Sequence, residues 1–206
     1  MKKIIVALLL VVTAVSYGQK QVYESKSFDK LSKDHKTIAI LPFLATINLK
    51  DHQLSDEEIK AIENKEGYEV QNALENFFVK RKSRVEFQDI NLTNTLLTKA
   101  NISMKNLDIY TTKELSEVLG VDAVISGTVT LNSLISDASS KSFSFLSLFT
   151  GEADYGRITI KISDGKTAKM LWKYEMEINK KSGKSMNEIV QSMMKKAARK
   201  FPYDKR

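Results

Sequence analysis

From Thr37 onward, short apolar runs alternate with longer stretches in which apolar residues recur every three or four positions, the pattern of strands separated by helices. Thr37-Ile-Ala-Ile-Leu-Pro-Phe43 reads as a buried first strand brought to an end by Pro42, which has no backbone N–H to give a sheet ladder, with a loop behind it. Ser55 and Glu58 then form a capping box at the head of a helix whose stripe runs through Ile59, Ile62, Val70, Ala73, Leu74, Phe77 and Phe78. Gly67 lies within that stripe. Inside a helix glycine costs roughly 1 kcal/mol against alanine, so a bend or break is expected near it. Residues 84–88 form a brief second strand, and Asp89 caps a helix with Leu92, Leu96 and Leu97 on its apolar side.

The clearest signal is the stretch 111–131. Thr111 and Glu114 make a second capping box, Leu115, Val118 and Leu119 share a helical face, and Gly120 closes the helix. An apolar, β-branched run from Val121 follows, which predicts a central strand with both faces covered. Beyond it the period changes to two. Ile158, Ile160 and Ile162 alternate, Asp164-Gly165 opens a turn, and Met170, Trp172, Tyr174, Met176 and Ile178 alternate again, giving an antiparallel hairpin. Lys161, Lys173, Glu175 and Glu177 face the other way, which implies one wet face. Ser185 and Glu188 start a last helix with Met186, Ile189, Val190, Met193, Met194 and Ala197 inward. The sum is an α/β (α+β) domain. It has a single mixed sheet, parallel crossovers in the first half, an antiparallel hairpin in the second, and helices packed on the sheet.

The amino terminus changes the picture more than composition does. Lys2 and Lys3 precede the apolar run 4–15, and Ser16-Tyr17-Gly18 supplies small residues where a signal peptidase cuts. A membrane-spanning helix needs ~20 apolar residues, more than this run offers. The expected organisation is a signal peptide at 1–18, a flexible polar lead at 19–36 and one domain at 37–203. Removing Lys2 and Lys3 with the leader lowers the formal charge from +7 to +5. That excess lacks any block of arginines interleaved with aromatics, so nucleic acid is not an expected partner. The chain has no cysteine, which excludes disulfides, thiolate metal sites and cysteine nucleophiles.

Catalytic groups are sparse. Of two histidines, His35 falls in the lead and His52 in a loop, where both are expected to be exposed. Glu175 and Glu177 share a strand face, as solvated pairs commonly do. Gly183-Lys-Ser185 has the strand-to-helix setting of a phosphate loop, but Ile178 occupies the place of its first glycine, so the backbone nest is missing. No catalytic residue, metal ligand or cofactor is therefore expected, and the chain reads as non-enzymatic. The stretch 136–154 breaks the local pattern, with Phe143, Phe145, Leu146, Leu148 and Phe149 in a serine-rich connection. These side chains either cover the sheet or form an exposed patch for a partner or membrane.

Several of these segments together resemble the superfamily of the TolB amino-terminal domain, the curli secretion channel subunit CsgG and the activator lipoprotein LpoB. The carriers are Ile38-Ala-Ile-Leu-Pro-Phe43, Leu-Gly-Val-Asp-Ala-Val at 119–124 with Ser-Gly-Thr-Val at 126–129, and 158–172 with Asp164 and Trp172. The resemblance implies an exported protein of the periplasm or outer-membrane periphery of a Gram-negative-type bacterium, acting as an interaction or assembly module. Its implied partners are envelope proteins, with peripheral membrane contact and self-association left open. A CsgG-like secretion or pore-assembly component is the alternative, although the apolar stretch 143–149 is short against the ~9–11 residues of each membrane strand. Lacking cysteine, this chain departs from the lipid-anchored members.

Overall fold

The computed structural model describes residues 22–49, 54–78, 80–133, 153–179 and 201–204, together with 191, 192 and 195. Seven strands form one mixed sheet: β1 (Val22–Glu24), β2 (Thr37–Ile40), β3 (Leu44–Leu49), β4 (Glu86–Phe87), β5 (Ala123–Ser133), β6 (Ala153–Asp164) and β7 (Met170–Asn179). The helices are α1 (Phe28–Ser32), α2 (Asp56–Phe78), α3 (Ile90–Lys99) and α4 (Thr112–Leu119). Strands run in the order β1-β7-β6-β5-β2-β4, and β3 also lies against β5. The expected fold class is the observed one: β2 is parallel to β4 and β5, whereas β6 is antiparallel to both of its neighbours, β5 and β7.

This order explains why there are two cores. The chain leaves β2 for the sheet edge at β4, then returns past β2 to β5. Right-handed crossovers that travel in opposite directions place their helices on opposite faces. Accordingly, α2 buries Val70, Ala73, Leu74, Phe77 and Phe78 against Ile38, Ile40, Ile125, Val129, Ile158, Ile160 and Ile162 on one face. On the other, Leu97 of α3 and Leu115 and Leu119 of α4 close over Ala39, Leu41 and Val124. Thr111 and Glu114 make the predicted reciprocal cap, and Asp89 accepts from the N–H groups of Asn91 and Leu92.

Five sequence expectations are corrected. The loop expected after Pro42 contains β3. Pro42 interrupts the ladder without ending it: β2 pairs with Ala123, Val124 and Ile125, and β3 resumes along β5 from Thr128. Near Gly67 α2 runs on without a break. Its glycine serves closeness instead, since a Cβ there would stand 2.0 Å from the Phe43 carbonyl oxygen. The approach lets three side-by-side α2 positions close the strand edge: the Glu63 carboxylate accepts from Ile47 N–H at 3.1 Å, the Gly67 carbonyl from Phe43 N–H at 3.1 Å, and the Gln71 amide donates to Ile40 C=O at 2.7 Å. Spacing of four puts all three on one helical line.

Met170 does not follow Trp172 inward. The register slips between Ile162 and Ser163, so Met170 turns out, 38% exposed, and Leu171 is wholly buried. On α3 it is Ile90, Thr93 and Leu97 that face inward, with Leu92 exposed. β5 is covered on both faces only through Ile125; past it Ser126, Thr128 and Thr130 are open to solvent to varying degree. Gly127 lies beneath the Phe43 ring, which would stand 2.4 Å from an added Cβ. The expected last helix is described at 191, 192 and 195 only, where it is helical.

Candidate functional site

The expected flexible lead is a further correction. Within it β1 pairs antiparallel with β7, and α1 inserts Phe28 into the core and buries Ser32. The signal for this order was Val22, Phe28 and Leu31, apolar residues in an otherwise polar stretch. A turn after α1, in which His35 N–H donates to Ser32 C=O, carries His35 beneath the end of the sheet. It is buried rather than exposed, which corrects the second expectation for this segment. His52 lies outside the described residues.

His35 meets two distant partners. Its Nε2 is 2.9 Å from Asp164 Oδ1 at the end of β6, and its Nδ1 is 2.6 Å from the Tyr203 hydroxyl in the closing 3-10 turn Pro202–Asp204. Asp164 Oδ2 accepts from both the N–H and hydroxyl of Thr167. Burial alone would raise the Asp164 pKa, yet the donors from Thr167 and His35 outweigh it and hold the carboxyl below its ordinary value. An ionised carboxylate can only accept, so Nε2 carries the proton shared with Asp164, and in the neutral ring Nδ1 accepts from Tyr203. Burial pushes the Tyr203 hydroxyl upward, which keeps it a donor.

The surroundings tighten this cluster. Phe28 meets the Tyr203 ring edge-on at 5.2 Å, and the Arg84 guanidinium lies 5.0 Å over the same ring while donating to the Ser32 hydroxyl at 2.7 Å. Arg81 pairs with Asp204 through Nε and Nη2. Beside them Asp122 accepts from the N–H groups of Lys36 and Thr37, and its carbonyl takes Gly165 N–H. Desolvation works against the charged Asp122 carboxylate, but these two N–H donors, with His35 and Lys166 nearby, lower its pKa overall. The Leu-Gly-Val-Asp and Asp-Gly segments, noticed separately in the sequence, therefore touch.

Chemically the arrangement joins a carboxylate, an imidazole and a phenol in line, the order of an acid–base relay. Tyr203, at the outer end of this series, is itself 1% exposed, and the three groups fasten distant segments together. They tie the first described segment, the β6–β7 turn and the last described segment to one sheet end. On its outer side lies a cleft of about 720 Å³ bordered by Asp29, Lys33, Lys82, Arg84, Tyr203 and Asp204. Among the described residues no group of three or more His, Cys, Asp or Glu could hold a metal.

Glu175 and Glu177, the carboxylates weighed for catalysis, instead bracket Arg157 at 3.1 and 3.3 Å, and Lys173 reaches Glu175 at 3.0 Å. They lace the sheet face that α3 and α4 leave open. Phe143, Phe145, Leu146, Leu148 and Phe149 lie outside the described residues, as do Gly183, Lys184 and Ser185. No described helix is long and apolar enough to cross a membrane.

No protein-family model matches the chain, and no curated protein does. Solved structures are similar to it at low identity. A lipoprotein from Neisseria meningitidis is 11% identical, with 80% of this chain and 98% of that one covered and a TM-score of 0.41. The LpoB C-terminal domain from Salmonella enterica is 9% identical over 74% of this chain and 92% of that one, with a TM-score of 0.39. PelC from Paraburkholderia phytofirmans, a dodecamer, is 14% identical over 90% and 97%, with a TM-score of 0.38.

Proposed function

We propose that the chain is a non-enzymatic protein of the bacterial envelope that acts by binding other proteins. The observation that carries this reading is the disposition of His35. Both of its ring nitrogens are engaged, and its partners Asp164 and Tyr203 are 2% and 1% exposed. The side chains best suited to proton transfer are thus spent on joining distant segments of the fold. A general base must come within hydrogen-bond reach of the proton it abstracts, and this one is enclosed. The envelope part of the reading rests on the charged-then-apolar amino terminus and on the segments around Pro42, Gly127 and Asp164 that resemble envelope proteins.

The purified protein, mixed with envelope extract under mild crosslinking, is expected to capture the same protein in independent preparations. It is expected to turn over no phosphoester, carboxyl ester or glycoside in a His35-dependent manner. Failure to capture any reproducible partner would count against the reading. So would turnover that His35→Asn abolishes while the protein still melts as a folded species.

A further inference from the structure

The cleft beside the fastening has a feature that fastening does not need: a preset cation with spare donors. Arg84 is held from two sides, by the Ser32 hydroxyl at 2.7 Å and by the Tyr203 ring at 5.0 Å, and Tyr203 is itself fixed by His35. A guanidinium has five N–H donors, of which the described contacts use one. Its rotamer entropy is already spent before anything binds, which favours a planar or tetrahedral oxyanion. Lys82 lines the same cleft and forms no ion pair among the described residues, while Lys33 stands at its rim with only a long 3.8 Å contact to exposed Asp34.

The two carboxylates of the cleft differ. Asp204 is neutralised by Arg81, whereas Asp29 forms no ion pair among the described residues. One cleft is therefore lined both by the cations Arg84 and Lys82 and by the carboxylate of Asp29. A bare polyanion would meet repulsion from Asp29; a phosphate that carries a neighbouring ammonium would satisfy both signs. The volume of about 720 Å³ exceeds what a simple ion fills and suits a small organic ligand.

We infer that this cleft binds a phosphate ester bearing a primary amine, of the phosphoethanolamine type, with Arg84 and Lys82 on the phosphate and Asp29 on the ammonium. The same chemistry occurs in a soluble metabolite and in a lipid headgroup. Such binding is separate from protein-partner binding and is measured on the purified protein with a small molecule alone.

The test titrates the full chain with O-phosphoethanolamine and with glycerol phosphate, followed by calorimetry and by amide chemical shifts. Saturable binding of phosphoethanolamine is expected, at least threefold tighter than glycerol phosphate, with shifts centred on Lys82, Ser83 and Arg84. Arg84→Gln should weaken it tenfold or more. Since Arg84 also supports Tyr203, the exposed pair Lys33→Ala and Lys82→Ala provides an independent arm and should weaken it about fivefold at unchanged melting temperature. Asp29→Asn should abolish the preference between the two ligands. Cosedimentation with phosphatidylethanolamine vesicles, competed by phosphoethanolamine, would assign the headgroup as source; binding of the free ester without vesicle association would assign the metabolite. Absence of saturable binding, or binding that neither the lysine pair nor Asp29→Asn changes, overturns the inference.

Discussion

Gly67→Ala gives opposite signs under two accounts of that glycine. If the residue were only tolerated in α2, alanine would stabilise the helix by up to ~1 kcal/mol. In the fold described here the new methyl would stand 2.0 Å from the Phe43 carbonyl oxygen and 2.7 Å from Met104 Cε. Methionine can bend away; the Phe43 backbone, held between β2 and β3, cannot. Relieving the contact to 3.0 Å takes an outward shift of α2 by about 1 Å, which strains the packed face at ~1–3 kcal/mol. The shift also stretches the bonds that Glu63, Gly67 and Gln71 make to Ile47, Phe43 and Ile40, each contributing roughly 0.5–1.5 kcal/mol. After the helix propensity gain is set against these, a net loss of ~2–4 kcal/mol is expected. Urea denaturation followed by far-ultraviolet circular dichroism reads it as a midpoint lowered by about 1–2 M at an unchanged slope. A midpoint equal to or above that of the parent protein would refute the close-approach argument.

Three further outcomes follow from the same packing. His35→Ala leaves the Asp164 carboxylate and Tyr203 hydroxyl buried without their shared partner and should cost ~2–4 kcal/mol; in a double-mutant cycle with Tyr203→Phe, a coupling under about 0.5 kcal/mol would deny the linkage. Because the folded-state pKa of Asp164 and Asp122 lies below the ordinary 3.8, their contribution to stability is complete above that value and is lost as pH falls beneath it. Melting temperatures recorded downward from about pH 6 should therefore drop steeply below about pH 4, and Asp164→Asn should flatten that drop. At the β6–β7 slip, Leu171→Ala should lose ~2–4 kcal/mol and Met170→Ala less than about 1 kcal/mol, with the reverse order ruling out the observed register.

Local rules were enough wherever a residue's role is settled by its near neighbours. The caps at Asp89 and Thr111, the positive φ of Gly120 and the alternation of Ile158, Ile160 and Ile162 all act within a few residues. So the mixed sheet, with its parallel first half and antiparallel hairpin, could be read from the chain, although β1, α1 and β3 could not. Leu92 and Met170 show where such reading stops, because each sits at a periodic position that packing or a bulge then turned outward.

What only the tertiary structure decided is the use of long-range partners. Nothing near Gly67 in sequence indicates Phe43, and nothing near His35 indicates Asp164 or Tyr203, which stand 129 and 168 residues away. A polar segment with three scattered apolar residues has too little local order to fold by itself, so it was legible only as a lead. It gains its structure by pairing β1 with β7 and burying Phe28 beside Tyr203, contacts that exist only once the sheet has brought the first and last described segments together at one end.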